Sequence, residues 1–311
     1  MKLFTRKAEK LTQLYEKPFK TEREIQKTTE QNLETLFGLQ FVKSELALNN
    51  LRIDTLAYNP DTEAFTIIEY KKTQNFSVID QGYAYLNLLL NNQADFILEY
   101  NQIKNKTFGK KDIDWTQSRV IFISPQYNRY QQQATNFQDL PFELWEIHQY
   151  ENNTIIYNQI ETSPNAASIT AITKPNTIAQ KVAKEIKVYR EQDHTQKTTD
   201  ELQEKYQELK ERIQNLGPDI ETQANKLYMV FKAQNSNIVA VVFQRSQLKL
   251  TLALPTGTLN DPYNLARDMT GIGHWASGDY ELTIKPNTDL DKIMPLIKQA
   301  YQKKETEHST R

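Results

Sequence analysis

Apolar and polar positions in the first part of the chain repeat with the period of a helix and then with the period of strands. The first pattern predicts an amphipathic helix over 21–37. Thr21 and Glu24 form a capping box that would start this helix, and Gly38 would end it. Its apolar stripe consists of Ile25, Leu33, Leu36 and Phe37.

Shorter runs rich in apolar residues follow, separated by residues typical of turns. Asn49 and Asn50 divide the first two runs, and a polar stretch at 59–63 precedes the third. The runs predict strands at 41–48, 51–58, 64–71, 95–100, 119–124, 142–149 and 154–159, with helices at 77–91 and near 126–136. This order of elements is typical of a mixed α/β sheet flanked by helices.

The second half of the chain predicts a separate and smaller α+β domain. Residues 161–177 are rich in Ser, Thr, Asn, Pro and Ala without a strong period, which indicates a linker. Further strands are predicted at 226–233, 237–244, 247–254 and 279–285, with a closing helix at 289–301. We therefore divide the chain into a domain at 1–160, a linker with connecting helices at 161–217, and a C-terminal domain at 218–311.

A helix at 198–217 has the apolar spacing of a coiled-coil seam. The seam consists of Leu202, Tyr206, Leu209, Ile213 and Leu216, and Gly217 followed by Pro218 ends the helix. Two interpretations are open. The face from Leu202 to Leu216 could join two copies of the chain in a homodimer, or the helix could pack on its own domain, since about two heptads is short for a dimer.

Composition excludes several kinds of chemistry. The chain has no cysteine, which removes disulfides and thiolate metal sites, and its four histidines lack the spacing of zinc ligands. Only 8 of the 311 residues are glycine, and no glycine-rich phosphate-binding loop is found. The net charge of −1 argues mildly against a protein whose whole surface binds nucleic acid. No apolar run is long enough to span a membrane and no secretory signal is found, so we expect a cytoplasmic protein.

The strongest chemical pattern combines Asp54 with Glu69 and Lys71 on two predicted strands. Glu69 and Lys71 are two residues apart and point to the same face of their strand. A hairpin folded at 59–64 would place Asp54 opposite Glu69, and two carboxylates that close repel each other unless a cation lies between them. Oxygen ligands favour Mg²⁺ or Mn²⁺. The alternative is an ordinary hairpin in which Lys71 forms a salt bridge with one acid.

This pattern resembles the PD-(D/E)xK, or restriction-endonuclease-like, superfamily of nucleases. Gln81 and Tyr85 on the following helix look like the Gln-x-x-x-Tyr element of one branch of that superfamily. The chain departs from the pattern at the first motif, where Asp54 follows Ile53 instead of proline. The resemblance covers residues 20–150 and implies a restriction-endonuclease-like mixed sheet flanked by helices.

The resemblance also implies the function of an Mg²⁺-dependent endonuclease, with DNA as the expected nucleic-acid partner and no membrane partner. Asp54, Glu69 and the backbone carbonyl of Tyr70 would bind Mg²⁺ or Mn²⁺. Lys71 would orient the attacking water and steady the phosphate, and Gln81 would position the strand or the water. Two alternatives stay open: a nuclease fold that binds nucleic acid without cutting it, and an assembly or regulatory protein.

Many members of the superfamily use a further acid on the first helix. Glu22 lies closest to the buried stripe predicted above and is the first choice, followed by Glu30 on its flank. Glu45 and Arg52 are further candidates, but a buried structural ion pair is the favoured interpretation of both.

Two other segments are candidate contacts for a ligand or for nucleic acid. The basic stretch of Lys104, Lys106, Lys110 and Lys111 near Phe108 and Trp115 could contact a phosphate backbone, or it could be a solvated loop. Residues 268–275 place glycines beside His274 and Trp275. Together with the strands before it, this segment resembles an uncharacterised C-terminal domain of bacterial proteins described as predicted transport proteins. A ligand contact there competes with packing of Trp275 in the core.

Overall fold

The computed structural model describes residues 2–73, 77–163, 165–169, 177–272 and 276–309. The chain divides into two compact units, Met1–Val188 and Tyr189–Arg311. Within the described ranges, no helix is both long enough and apolar enough to cross a membrane.

The first unit contains a six-stranded mixed sheet and a separate two-stranded hairpin. Its strands are β1 Leu3–Lys7, β2 Lys10–Leu14, β3 Gln40–Leu48, β4 Leu51–Asn59, β5 Ala64–Tyr70, β6 Arg119–Ser124, β7 Phe142–Gln149 and β8 Ile155–Ile160. Its helices are α1 Glu22–Glu30, α2 Leu33–Phe37, α3 Val78–Asn91, α4 Gln93–Lys104, α5 Arg129–Ala134 and α6 Ile178–Glu185. The large sheet has the order β3-β4-β5-β6-β7-β8. Strands β5, β6 and β7 are parallel, and the other neighbours are antiparallel.

The sheet has an apolar core on each face. Every residue of β5 is buried, as expected for a central strand covered on both sides. On one face, Ile68 and Tyr70 pack with Ile25 of α1 and Leu33 of α2. On the other face, the core contains Leu56, Phe65 and Ile67 together with apolar residues of α3 and α4. The predicted mixed α/β fold is confirmed.

Several local predictions differ from the structure. Residues 95–100 belong to helix α4, where Phe96 and Tyr100 are buried four residues apart on one helical face. The helix predicted over 21–37 is two helices, because the backbone leaves the helical conformation at Asn32, which has a φ of −130°. The hairpin of β1 and β2 was not predicted, since both of its faces are largely exposed.

The second unit has a six-stranded sheet in the order β13-β14-β12-β11-β10-β9, in which all neighbours are antiparallel. Its strands are β9 Ile220–Ala224, β10 Met229–Ala233, β11 Ser236–Gln244, β12 Gln247–Leu252, β13 Arg267–Asp268 and β14 Tyr280–Ile284. Its helices are α7 Glu191–Thr195, α8 Asp200–Gln214 and α9 Leu290–Ser309. This unit is the predicted smaller α+β domain, but it begins before residue 218.

The apolar face of α8 is used inside the second unit. Leu202, Tyr206, Leu209 and Ile213 are fully buried in the same core as the sheet and α9. The structure therefore agrees with the second interpretation of this seam, in which the helix packs on its own domain. A homodimer through the same face would first require α8 to leave that core.

The stretch predicted as a linker with connecting helices, 161–217, is divided between the two units. Ile169, Val182 and Ile186 pack on the core of the first unit, whereas α8 belongs to the second. The predicted boundaries at 160 and 218 are thus replaced by a single boundary between Val188 and Tyr189. The composition of 161–177 suggested a linker because few of its residues are apolar.

Candidate active site

The ladder between β4 and β5 brings the predicted acids together. It pairs Thr55 with Ile68 in the antiparallel sense, so Asp54 and Glu69 are the next positions on the two strands. Leu56 and Ile67, which alternate with Asp54 and Glu69 along the strands, lie in a single core cluster. The two acids therefore lie at the end of an apolar face of the hairpin, in the register that the sequence predicts.

Glu69 is buried, with a side-chain exposure of 3%, and forms an ion pair of 2.6 Å with Lys71 Nζ through Oε1. Its second oxygen, Oε2, is buried without a hydrogen-bond partner in the described part of the chain. The Tyr85 hydroxyl approaches this carboxylate but donates to the Arg52 carbonyl at 3.2 Å. Burial and the charge of Asp54 raise the pKa of Glu69 from 4.5 to about 7, although Lys71 and Tyr85 oppose this rise.

Asp54 is fixed at both its side chain and its backbone. Its Oδ2 accepts a hydrogen bond of 3.0 Å from the Tyr70 N–H, and its backbone carbonyl accepts one of 2.8 Å from Gln26 Nε2. Burial raises the pKa of Asp54, while the Tyr70 N–H and the charge of Lys71 lower it. The net effect is an increase, so proton and cation compete for this carboxylate as well.

Lys71 lies just beyond the end of β5 and continues its ladder, since its N–H donates to the Ile123 carbonyl at 2.9 Å. Burial lowers the pKa of Lys71, but its hydrogen bond to Glu69 and the charges of Glu69, Asp54 and Glu22 outweigh that effect and raise it. Lys71 is therefore a permanent ammonium group at neutral pH. It places one positive charge next to two carboxylates.

Gln81 and Tyr85 lie on α3, which starts at Ser77, where the hydroxyl accepts from the Asp80 N–H. Tyr85 reaches β4 through its bond to the Arg52 carbonyl. The Gln81 Oε1 atom is buried without a hydrogen-bond partner among the residues that the structure describes. No hydrogen bond within those residues joins Gln81 to Asp54, Glu69 or Lys71. Residues 74–76, which precede this helix, lie outside the described residues.

Glu22 is the first residue of α1, and its Oε1 accepts a hydrogen bond of 2.9 Å from the Lys72 N–H. The residue is exposed, and its charge acts on both Asp54 and Lys71. The prediction of Glu22 used a stripe that included Leu33 and Leu36, which belong to α2. The structure thus brings Glu22 to the edge of the site. The prediction placed Glu22 by its angle from an apolar stripe on one continuous helix, and that helix is interrupted at Asn32.

A partly buried polar network lies between α1 and the sheet, and most of it was not predicted from the sequence. Gln26 Nε2 lies 3.1 Å from Glu30 Oε1 and 3.0 Å from Ser44 Oγ, in addition to its bond to Asp54. Glu30 Oε1 also accepts a hydrogen bond of 2.6 Å from Thr55 Oγ1. Glu30 was the second choice for the helix acid, and here it orients Gln26. The spacing of four residues from Glu22 to Gln26 and from Gln26 to Glu30 was the available signal.

A cleft of about 540 Å³ opens on the α1 side of the sheet. Its lining consists of Glu22, Arg23, Gln26, Lys27, Glu30, Ser44, Glu45, Arg52, Asp54 and Tyr70. Glu69, Lys71 and Gln81 do not line it, so the cleft meets the predicted site at Glu22, Asp54 and Tyr70. Glu45 and Arg52 form an ion pair with each other, but it is exposed to solvent, not buried as predicted.

The other two segments considered from the sequence have different outcomes. Phe108 packs against Tyr58 and Tyr100, and Trp115 is buried, so these aromatic residues belong to the core of the first unit. Lys106, Lys110 and Lys111 are exposed next to them, as in a solvated loop. The prediction for His274 and Trp275 falls on residues 273–275, which lie outside the described residues.

The donor set at the site consists of oxygen atoms. Asp54 comes from the first half of β4, and Glu69 and the backbone of Tyr70 come from the end of β5. The buried Oε2 of Glu69, which has no partner among the described residues, fits a cation ligand. No group of three or more acidic or histidine side chains that could hold a metal ion is found in the described ranges. A divalent cation at this point would therefore have two carboxylate ligands from the chain, and would complete its shell with a backbone carbonyl, water or substrate.

Comparisons with known proteins address the family but not the chemistry. Residues 191–304 match a domain of unknown function (DUF5655), which confirms the expected uncharacterised C-terminal domain. The structure of Pyrococcus furiosus SfsA in complex with Ca²⁺ is similar to 44% of this chain and 61% of its own chain, less than two thirds of its length, with 15% identity and a TM-score of 0.23. Similarity at that level carries no information on activity. A Haemophilus influenzae protein described as "Uncharacterized protein" is 49% identical over 302 residues, which cover 97% of this chain and 100% of that protein. The chain belongs to the family of this Haemophilus influenzae protein.

Proposed function

We propose that the first unit is a metal-dependent nuclease that hydrolyses phosphodiester bonds of DNA at Asp54, Glu69 and Lys71. The observation that carries this proposal is the buried Glu69 carboxylate beside Asp54, at the end of the ladder between β4 and β5. Its Oε2 lacks a partner among the described residues, and its pKa is raised to about 7. Buried polar atoms without partners are costly, and a bound cation would remove that cost.

The residues have distinct roles in this proposal. Asp54 and Glu69, with the backbone carbonyl of Tyr70, would hold Mg²⁺ or Mn²⁺. The cation would supply Lewis-acid chemistry, which lowers the pKa of a bound water and neutralises charge on the phosphate. The Tyr70 N–H keeps the Asp54 carboxylate in position.

Lys71 and Gln81 would act on the substrate side. The Lys71 ammonium lies 2.6 Å from Glu69 and stays charged at neutral pH, so it can bind a phosphate oxygen and orient the attacking water. Gln81, whose Oε1 is buried without a hydrogen-bond partner among the described residues, would position the DNA strand or that water. Glu22, at the edge of the site, would add negative charge that attracts the cation.

The main alternative assigns Lys71 and Glu69 a structural role as a salt-bridged hairpin. Their ion pair of 2.6 Å agrees with that alternative as well as with a catalytic pair. The ion pair leaves the second Glu69 oxygen without a partner among the described residues and leaves Asp54 without a cationic hydrogen-bond partner there. Both features favour an additional cation over a completed salt bridge.

A cleavage assay tests the proposed function. Purified protein is incubated with supercoiled plasmid and, separately, with single-stranded DNA, in Mg²⁺, in Mn²⁺ and in EDTA. We expect cleavage in the two metals and none in EDTA. Binding without cleavage in all conditions would favour a non-cleaving nucleic-acid-binding protein, and neither binding nor cleavage would favour an assembly or regulatory role.

A further inference from the structure

The hairpin of β1 and β2 is a two-stranded sheet that does not join the large sheet. Residues on both of its faces are exposed. They include the apolar side chains of Phe4 and Leu11, with exposures of 44% and 66%, and the next residue after the hairpin, Tyr15, is 64% exposed. An isolated two-stranded hairpin is marginally stable in water. A partner that covers this hairpin would therefore stabilise it.

The charge of this segment differs from that of the whole chain. Residues 2–20 carry six basic and two acidic side chains, a net charge of +4, whereas the chain as a whole has a net charge of −1. One of the two acids, Glu16, accepts a hydrogen bond of 2.9 Å from His148 Nδ1. Arg6, Lys7 and Lys10 surround the tip of the hairpin, whose turn carries one acid, Glu9. Among the described residues none of these three cations forms an ion pair. The surface is therefore complementary to a polyanion.

The cations lie on both faces of the hairpin. Lys7 pairs with Lys10 across the two strands, so their side chains share one face. Arg6, which pairs with Leu11, is adjacent to Lys7 in the sequence and points to the opposite face. A single flat surface would meet only one of these faces. A groove with a phosphate backbone on each wall would meet both.

The base of the hairpin is anchored at the edge of the sheet that carries the candidate active site. Glu16 forms a β-bridge with Tyr150, and the Lys17 N–H donates to the Gln149 carbonyl at 2.7 Å. Gln149 is the last residue of β7, and Tyr70 is the last residue of β5. Because β5, β6 and β7 are parallel, these ends point to the same edge of the sheet; Trp145 lies level with Tyr70, about 10 Å away over two strand spacings, and Gln149 lies four residues, or about 13 Å, further along β7.

We propose that this hairpin is an arm that inserts into the major groove of duplex DNA and binds the phosphates on both sides of it, next to the active site. The choice of nucleic acid as partner rests on the proposed function. The major groove is about 12 Å wide and admits a two-stranded β-ribbon. Lysine and arginine contacts to phosphates supply affinity without sequence preference.

The test compares two triple variants of the full-length chain. In the arm variant, Arg6→Gln, Lys7→Gln and Lys10→Gln remove three charges from the hairpin. In the matched control, Lys106→Gln, Lys110→Gln and Lys111→Gln remove three exposed charges from the loop near Trp115. Binding to a fluorescently labelled DNA duplex and to a single strand of the same sequence is measured in EDTA at several salt concentrations. Thermal melts verify that both variants are folded.

We expect the arm variant to bind the duplex about tenfold or more weakly than the wild type. The slope of the logarithm of the binding constant against the logarithm of the salt concentration should become shallower by about one for each lost phosphate contact. The control variant should bind like the wild type. Equal binding by the arm variant and the wild type, no binding by the wild type, or tighter binding to the single strand would each overturn the proposal. So would an effect of the arm variant on self-association alone, measured by light scattering.

These outcomes separate the arm from the catalytic proposal. If the wild type and the arm variant bind and cleave DNA equally well, the nuclease function is retained and the arm is contradicted. A wild-type chain that cleaves nothing in Mg²⁺ or Mn²⁺, but binds duplex DNA through the arm charges, retains the arm and loses the nuclease function.

Discussion

The backbone N–H of Tyr70 donates a hydrogen bond of 3.0 Å to the carboxylate of Asp54. Tyr70 lies between Glu69 and Lys71 in the sequence, so this bond ties Asp54 to the strand segment that carries the other two ionisable side chains. Any change in the register of β4 and β5 would move all three groups relative to one another. Single substitutions at the three side chains leave this backbone bond or its donor in place, which makes them suitable probes of the site.

Our first prediction concerns the response of thermal stability to metal. Wild-type protein should be stabilised by Mg²⁺ or Mn²⁺, by about 2.7 kcal/mol at a hundredfold excess over Kd. Asp54→Asn and Glu69→Gln should lose this response but melt at the wild-type temperature or above without metal, because each removes a charge that repels its neighbour. Differential scanning fluorimetry with a metal titration measures both effects.

Lys71→Ala distinguishes a catalytic site from a structural salt bridge. We expect this variant to stay folded and to keep most of the metal response, since Glu69 can take up a proton or a cation when the ammonium is removed. If the pair is only structural, the same change costs about 3–5 kcal/mol, as for other buried pairs broken on one side. Lys43→Ala is the matched control, because Lys43 forms the more exposed ion pair with Glu99 at 3.0 Å.

The second prediction concerns pH. The folded state raises the pKa of Glu69 from 4.5 to about 7, so between these values the folded chain binds more protons at this site than the unfolded chain. Stability without metal should therefore fall as pH rises from about 4.5 to about 7 through this group. Glu69→Gln should reduce that slope. The stabilisation by Mg²⁺ should instead be larger at pH 8 than at pH 6, because the proton competes with the cation.

The third prediction concerns the helix that carries Gln81 and Tyr85. A Cβ atom at Gly82 would lie 2.5 Å from the ring of Phe142, a buried residue of β7. Gly82→Ala should therefore destabilise the chain by about 1–3 kcal/mol through overpacking. Gly109→Ala is the matched control, since the nearest atom to its added Cβ is 3.7 Å away. Equal unfolding midpoints of the two variants in urea would contradict the packing of α3 on β7.

The central hairpin of the fold is predictable from the sequence because its strands and its turn each have a characteristic residue pattern. Strands β4 and β5 have clear apolar runs on either side of a turn, and that turn determined the pairing of Thr55 with Ile68. The sequence predicts a strand around Phe96 where the structure has helix α4, because Phe96 and Tyr100 alone do not distinguish a helical face from a short strand. The hairpin of β1 and β2 escaped prediction because neither face is buried, and burial generates the alternating pattern.

The same difference separates the site residues that the sequence predicts from those that it does not. Asp54, Glu69 and Lys71 were found because their spacing on a hairpin implies proximity. Gln26 and Thr55 were not found, because their hydrogen bonds depend on how α1 packs over the sheet. Tertiary packing of this kind leaves no fixed spacing in the sequence.

The fourth prediction concerns the second unit. His194 is fully buried, and its Nε2–H donates to the Asn225 carbonyl at 2.8 Å, while Nδ1 has no partner among the described residues. Burial lowers the pKa of His194, which favours the neutral ring in the folded state. The unfolded chain then binds more protons below the ordinary histidine pKa of about 6.5, so stability should fall as pH drops below that value. His194→Gln should reduce this loss, and His148→Gln, at a partly exposed histidine, serves as the control in melts from pH 7 to pH 5.

The central claim is that Asp54 and Glu69 form a catalytic cation site, and cleavage kinetics of matched variants test it most directly. Plasmid cleavage in Mg²⁺ is measured for wild type, Asp54→Asn, Glu69→Gln, Lys71→Ala and the control Glu99→Gln. Loss of a cation that contributes several kcal/mol to the transition state should reduce the rate about a hundredfold or more in the first three variants, while the control cleaves at the wild-type rate. The account would be contradicted if the Asp54→Asn and Glu69→Gln variants cleaved at the wild-type rate, or if the wild-type protein cleaved equally fast in EDTA.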